Sequence, residues 1–180
     1  MQTPINKVEL RQQLIAARRS MSELEKSQAD ARILQRLSDW LTKYQPASLG
    51  AYIAMSGEPE LLSLYESLDS RGITLAMPVV LEKNQPLIYV RWLPGESLKR
   101  DASGTMAPAL HEQIIQPEVV LAPCLGFNDE GFRLGYGGGY FDRTLAQSPR
   151  PTAVGIAYAV TRRQFATEAH DIALDYIITD

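Results

Sequence analysis

The stretch Gly131-Phe-Arg-Leu-Gly-Tyr-Gly-Gly-Gly-Tyr-Phe-Asp-Arg143 holds four of the chain's twelve glycines within positions 135–139. Glycine is costly in backbone entropy, so such a cluster marks a main chain that turns sharply or approaches something closely. Upstream, residues 118–122 (Glu-Val-Val-Leu-Ala) read as a short buried strand ended by Pro123; downstream, residues 140–145 read as a helix. A glycine loop that delivers the chain into a helix points bare N–H groups at an anion. Strand, glycine loop and helix together predict a phosphate cradle in an α/β protein.

The pattern is not one of the two common ones. A P-loop ends in Gly-Lys-Ser/Thr, and no lysine follows Lys99. The dinucleotide fingerprint needs glycine at its sixth position, where Tyr140 stands. Taken alone, the glycines would serve equally well to pack a helix against a sheet. Arg133, Asp142 and Arg143 around them favour a ligand.

Outward from this loop, strands and helices alternate. Residues 48–53, 73–80, 87–93, 153–159 and 176–179 read as strands, and 60–70 as a helix ended by Arg71-Gly72. Residues 94–117 are rich in Pro, Gly and Ser and are expected to form a long functional loop with little regular structure. The alternation predicts a three-layer α/β domain: a mostly parallel sheet flanked by helices on both faces. Ligands bind such sheets at the carboxyl ends of strands, where the glycine loop and the turn at residues 54–58 both lie.

The first 44 residues read as two helices packed on that sheet. Leu10, Leu14, Ala17 and Met21 form the apolar stripe of the first. Lys7, Arg11 and Arg18 project within about 40° of one another. This row is either a solvated face or, if the stripe docks, a set of cations held beside the domain body. Ser22-Glu-Leu-Glu25 is a capping box opening the second helix, whose face runs Ala29, Ile33, Leu37, Trp40, Leu41, Tyr44.

At 180 residues the chain is expected to be a single domain spanning 1–180. Eighteen basic against 21 acidic side chains give −3, which supplies no electrostatic case for nucleic acid. No apolar run approaches about 18 residues, and the N-terminus lacks a signal-peptide apolar region, so neither a membrane span nor export is expected. Cys124, the sole cysteine, reads as a buried filler in a reducing compartment, with the cytoplasm the default. No obligate protein partner is evident.

Phosphate chemistry needs cations and N–H donors around the oxygens and a carboxylate for Mg²⁺. Lys7 and Arg11 could neutralise phosphates, and Arg133 and the loop glycines could cradle them. Asp142 could hold Mg²⁺ or simply stabilise a helix start. Asp171 and Asp175 would share a face if their segment were helical. Glu58, before Pro59, either opens a helix or binds a polar substrate group. Tyr140 and Phe141 either stack on a flat heterocycle or fill the core. His111 and His170, far apart and without zinc-ligand spacing, are expected in surface or core roles.

At this point the chain resembles the 5-formyltetrahydrofolate cyclo-ligases, also called methenyltetrahydrofolate synthetases. The likeness rests on Arg133-Leu-Gly-Tyr-Gly-Gly-Gly-Tyr-Phe-Asp142, preceded by Val120-Leu-Ala-Pro123 and Phe127. Supporting it are Lys7-x-x-x-Arg11, Tyr52-Ile53 with Glu58, and His170-Asp171 before Ile177-Ile-Thr-Asp180. The resemblance implies ATP- and Mg²⁺-dependent closure of 5-formyltetrahydrofolate to 5,10-methenyltetrahydrofolate, with release of ADP and phosphate through an iminophosphate. It implies that ATP is bound by Lys7, Arg11, Arg133, Leu134, Gly135, Tyr136, Gly137, Gly138, Gly139, Tyr140 and Phe141. Ile53, Glu58, Tyr136 and Tyr140 would face the folate, and Asp142 and Asp171 would serve Mg²⁺.

Two departures from the family pattern stand out, one in the middle loop and one in the glycine loop. Gly104-Thr-Met-Ala-Pro108 carries Ala107 where the family often has glutamate, and Tyr136 and Gly138 stand where some members place Arg or Lys. The resemblance then implies that phosphate charge is met by Lys7, Arg11, Arg133 and the metal. Ala107 is the sequence support for an alternative, a non-catalytic folate- or nucleotide-binding regulator on the same scaffold. An isomerase or acyl-transferase relying on Glu58 is a further alternative.

Overall fold

Val119, Val120, Leu121 and Ala122 are all buried, and their strand lies inside a seven-stranded sheet. An unbroken apolar run is what a strand covered on both faces requires. The computed structural model describes residues 6–55, 57–101, 103–108 and 113–180. In chain order the elements are α1 (Lys7–Arg19), α2 (Glu23–Tyr44), β1 (Ser48–Gly50), α3 (Leu62–Ser70), β2 (Thr74–Val79) and β3 (Ile88–Arg91). Then come β4 (Leu98–Arg100), β5 (Met106–Pro108), β6 (Ile114–Ile115), β7 (Val119–Pro123), β8 (Gly126–Phe127), β9 (Arg133–Leu134), α4 (Tyr140–Leu145), β10 (Thr152–Ile156) and β11 (Tyr176–Ile178).

The sheet runs β11-β10-β7-β1-β2-β3-β6. The first five are mutually parallel; β3 pairs antiparallel with β2, and β6 with β3. This is the mostly parallel α/β sheet that the alternation of elements predicts. Side chains alternate faces along a strand, and β7 shows it: Val119 and Leu121 join one cluster, Val120 and Ala122 the other. The first cluster packs Ile33, Leu37 and Leu41 of α2 and Tyr65 and Leu68 of α3 onto the sheet. The second covers the opposite face with Leu145 of α4, Phe127 and Leu174. The capping box forms: the Glu25 N–H donates to Ser22 Oγ, and the Glu25 carboxylate accepts from the Ser22 N–H.

Two details differ from the sequence expectation. Of the two N-terminal helices, α2 lies on the sheet, whereas α1 docks on the β8–β9 hairpin beside the carboxyl ends of the strands. Leu10 and Leu14 there meet Leu125 and Leu134. The stripe of α1 continues into Arg18 rather than Ala17, because Leu10, Leu14 and Arg18 are the buried positions. Gly126 lets the helix in: a Cβ there would stand 2.6 Å from Leu14 Cδ1.

Residues 94–117 are not an irregular loop throughout. β4 and β5 form an antiparallel hairpin closed by Asp101, whose carboxylate accepts from the N–H groups of Val80, Ser103 and Thr105. Three-residue strands carry too little alternation to stand out from a Pro- and Gly-rich background. Ala107, in β5, is buried against Val79 and Val90. Among the described residues no helix is long and apolar enough to cross a membrane.

Candidate functional site

The glycine loop is placed by β9, which pairs with β8 so that Gly126 faces Leu134 and Phe127 faces Arg133. Leu134 is buried against Leu10 and Leu14, which ties the loop to α1. Beyond it the backbone takes positive φ at Gly137 (99°) and Gly139 (64°), the latter opening α4. That region disfavours a Cβ, which accounts for glycine at both positions. α4 spans only six residues. A helix this short brings few aligned peptide dipoles, so side-chain cations must supply most of the positive charge.

Those cations converge from two directions. On α1, Lys7 Nζ lies 2.9 Å from Asp171 Oδ2 and 2.8 Å from Glu168 Oε1. Arg11 Nε donates to the Gly135 carbonyl at 2.8 Å. Arg18 Nη2 donates to the Tyr136 hydroxyl. From the loop itself, the Arg133 guanidinium stacks 4.7 Å from the Phe141 ring centre and reaches Asp142 Oδ2 at 3.5 Å. Arg143 folds over Tyr140 and donates to the Gly138 carbonyl, which braces the loop from outside.

The facing wall comes from the turn after β1. The Met55 N–H donates to Glu58 Oε2 at 2.9 Å, while Oε1 is buried without a partner. Burial pushes the Glu58 carboxyl above its ordinary range, against the Met55 N–H, the Arg18 charge and the Tyr136 hydroxyl. Tyr52 is held by the Tyr65 hydroxyl, which donates to the Tyr52 carbonyl at 2.8 Å and accepts its N–H. With Ile53 and Met55, Tyr52 and Glu58 line a cavity of about 490 Å³, closed on a third side by Asp101, Ser103, Thr105 and Met106 of the β4–β5 hairpin.

The same cavity is lined by Lys7, Arg11, Ile53, Glu58, Asp142, Asp171 and every residue from Arg133 to Phe141. The structure therefore brings to one place the residues that the resemblance implies for ATP, folate and Mg²⁺. Asp142 Oδ1 accepts the Ile172 N–H at 3.3 Å, which places Asp142 against the residue that follows Asp171. Each aspartate already faces a cation, Arg133 or Lys7. Among the described residues no group of three or more His, Cys, Asp or Glu is poised to hold a metal alone. Asp175 stands apart: its carboxylate takes Arg150 at 2.9 Å and the Ala153 N–H at 2.7 Å. Its segment is not helical, so the four-residue spacing from Asp171 brings no shared face.

Other positions had little sequence signal. Arg18 belongs to the row that helical spacing leaves open between a solvated face and cations beside the domain body, and its residue is only 6% exposed. Glu168 and the hairpin residues Asp101 and Ser103 enter the site through long-range packing alone. His170, expected in a surface or core role, lies at the cavity rim 3.5 Å from Glu168 Oε2; His111 lies outside the described residues. Cys124 is buried as expected, and burial pushes its thiol up to about 12. Ala107, within the hairpin, packs against Val79 and Val90 and does not line the cavity.

A mostly parallel sheet with a cavity at its strand ends, cations on one wall and a buried carboxylate on the other, makes this an α/β protein with one candidate ligand site. The profile of the 5-formyltetrahydrofolate cyclo-ligase family matches residues 4–180, and the chain belongs to that family, an enzyme of the ligase class. A relative from Mycoplasma pneumoniae named 5-formyltetrahydrofolate cyclo-ligase is 30% identical over 179 residues, covering 98% of this chain and 99% of its own. One of the same name from Haemophilus influenzae is 27% identical over 174 residues, covering 92% and 93%. The solved 5,10-methenyltetrahydrofolate synthetase of M. pneumoniae superposes with a TM-score of 0.78 at 26% identity, covering 98% of this chain and 99% of that one. The one from Aquifex aeolicus gives 0.81 at 25%, covering 97% and 89%.

Proposed function

We propose that this enzyme closes 5-formyltetrahydrofolate to 5,10-methenyltetrahydrofolate at the expense of ATP, as a single cytoplasmic domain carrying both ligands in one cavity. The observation that carries the proposal is the shared cavity. Lys7, Arg11 and Arg133 with the glycine loop form a wall for a polyphosphate, and Ile53, Glu58, Tyr136 and Tyr140 form a wall for a flat polar heterocycle. Phe141, under the Arg133 guanidinium, stiffens the phosphate side.

The chemistry asks little covalent help from protein. The formyl oxygen attacks the γ-phosphorus and ADP leaves. N10 then attacks the phosphorylated formyl carbon, the carbon–oxygen bond breaks to release phosphate, and the N10 proton passes to solvent. Positioning of the two ligands and charge stabilisation at the transferring phosphoryl group supply the catalysis. Arg11 suits that task, since its guanidinium lies over Gly137 and no carboxylate among the described residues pairs with it. Mg²⁺, which takes one or two carboxylates together with phosphate oxygens, fits Asp142 and Asp171 and would neutralise phosphate charge there.

The test mixes protein, 5-formyltetrahydrofolate and Mg²⁺ with and without ATP and follows the methenylfolate absorbance band. ATP-dependent growth of the band, matched by equimolar ADP, is the expected result. Binding of both ligands with a flat trace would instead identify a non-catalytic regulator.

A further inference from the structure

Arg18 is the buried cation that the phosphate wall does not use. Its guanidinium donates from Nη2 to the Tyr136 hydroxyl, lies 5.9 Å from the Tyr136 ring centre, and leaves Nη1 buried without a partner. A Cβ added to Gly57 would stand 3.8 Å from Arg18 Nε, so the guanidinium runs beneath the Gly57–Glu58 turn. Glu58, 2% exposed, likewise leaves Oε1 without a partner, and the Tyr136 hydroxyl adjoins its carboxylate. Tyr136 is 46% exposed and lines the cavity, so a half-open ring is gripped at its hydroxyl by a buried charge. Burying a cation with an unsatisfied donor is costly, and here it sits between the glycine loop and the substrate-facing turn.

We propose that Arg18 is a positioning residue for the folate side of the cavity, holding the Tyr136 side chain and the Glu58 turn in register before the folate arrives. This assignment rests on the folate reading of that wall. Arg18 touches neither cavity nor phosphates and acts through the Tyr136 hydroxyl and the Glu58 turn. The groups facing Glu58 are Arg18 from α1, Tyr136 from the loop, and Tyr52, Tyr65 and Cys124 from the core. Burial raises all three core groups, so they stay neutral near neutral pH and Arg18 is the charge among these neighbours.

Arg18→Met, Arg18→Lys and Tyr136→Phe in the full chain test this. Arg18→Met should raise KM for 5-formyltetrahydrofolate roughly tenfold or more while changing KM for ATP by less than about threefold. It should also move the acidic limb of kcat/KM for the folate to higher pH. Arg18→Lys should recover part of both effects, and Tyr136→Phe, which spares the buried charge and the fold, should raise the same KM. Equal changes in both KM values, or an unmoved acidic limb, would overturn the assignment. Hydrogen exchange of the Met55 and Glu58 amides, which close the turn above Arg18, gives a readout independent of turnover without ligands. Faster exchange in folded Arg18→Met is expected, and unchanged exchange overturns the proposal even if the wild type proves inactive, a result that would separately sink the folate reading.

Discussion

Lys7 and Asp171 meet at 2.9 Å across 164 residues of chain, joining the first turn of α1 to the segment before the last strand. Burial works against ionisation of Asp171, but the hydrogen bonds from Lys7 and the Glu168 N–H outweigh it and leave the carboxyl below the ordinary aspartate range. Burial likewise opposes the Lys7 charge, and the Glu168 and Asp171 hydrogen bonds raise it above 10.5. A lowered carboxyl contributes stability above its unfolded value, lost as pH falls through the folded one; a raised amine contributes stability lost as pH rises through its folded value. Lys7→Met should therefore flatten the acid limb of stability below about pH 4, by on the order of 1 kcal/mol for so partly buried a pair. Urea midpoints across pH check it; superimposable profiles would show that the pair contributes nothing.

Arg11 is half-buried and bonded to the Gly135 carbonyl by Nε, which aims the rest of the guanidinium into the cavity. Arg11→Ala should leave the thermal midpoint within a few degrees and weaken ATP binding by about 1.5–3 kcal/mol, the worth of a charge-assisted contact. Calorimetric ATP titration reads this directly, and an unchanged affinity would remove Arg11 from the phosphate wall.

Gly137 separates backbone from side-chain causes. At φ 99° an L-residue is strained, yet an added Cβ would meet only the Arg11 guanidinium, at 3.6–3.9 Å, an ordinary contact. Gly137→Ala should cost on the order of 1–3 kcal/mol through strain, with loss of ATP affinity as the loop shifts. A D-alanine introduced at 137 by semisynthesis should be tolerated. Equal damage by both enantiomers would point to steric exclusion instead.

Asp142 is held by the Ile172 N–H and by Arg133, so Asp142→Asn should preserve the loop while removing one charge. The Mg²⁺ concentration giving half-maximal rate should rise by about tenfold or more. If that concentration does not move, Asp142 serves only to orient Arg133.

The parts of this protein that the chain states locally are those governed by short-range physics. The capping box at Ser22 and Glu25, the apolar run 119–122 and the helix after Gly139 depend on neighbours a few residues away. So does the glycine at 137, whose φ only glycine tolerates freely. The boundaries shifted where tertiary contacts intervene: the helix foreseen from residue 60 begins at Leu62, and the strand foreseen through residue 53 stops at Gly50 as the chain turns toward Glu58. Three relations were left to the tertiary structure. They are the docking of α1 on the β8–β9 hairpin, the β4–β5 hairpin that closes the third wall, and the burial of Arg18 under Glu58. Helical spacing put Lys7, Arg11 and Arg18 on one face but could not say what that face meets, because the partners lie more than 100 residues away. A charge row looks the same whether it ends in solvent or in a cavity; only the packing of Leu10 and Leu14 against Leu125 and Leu134 decides between them.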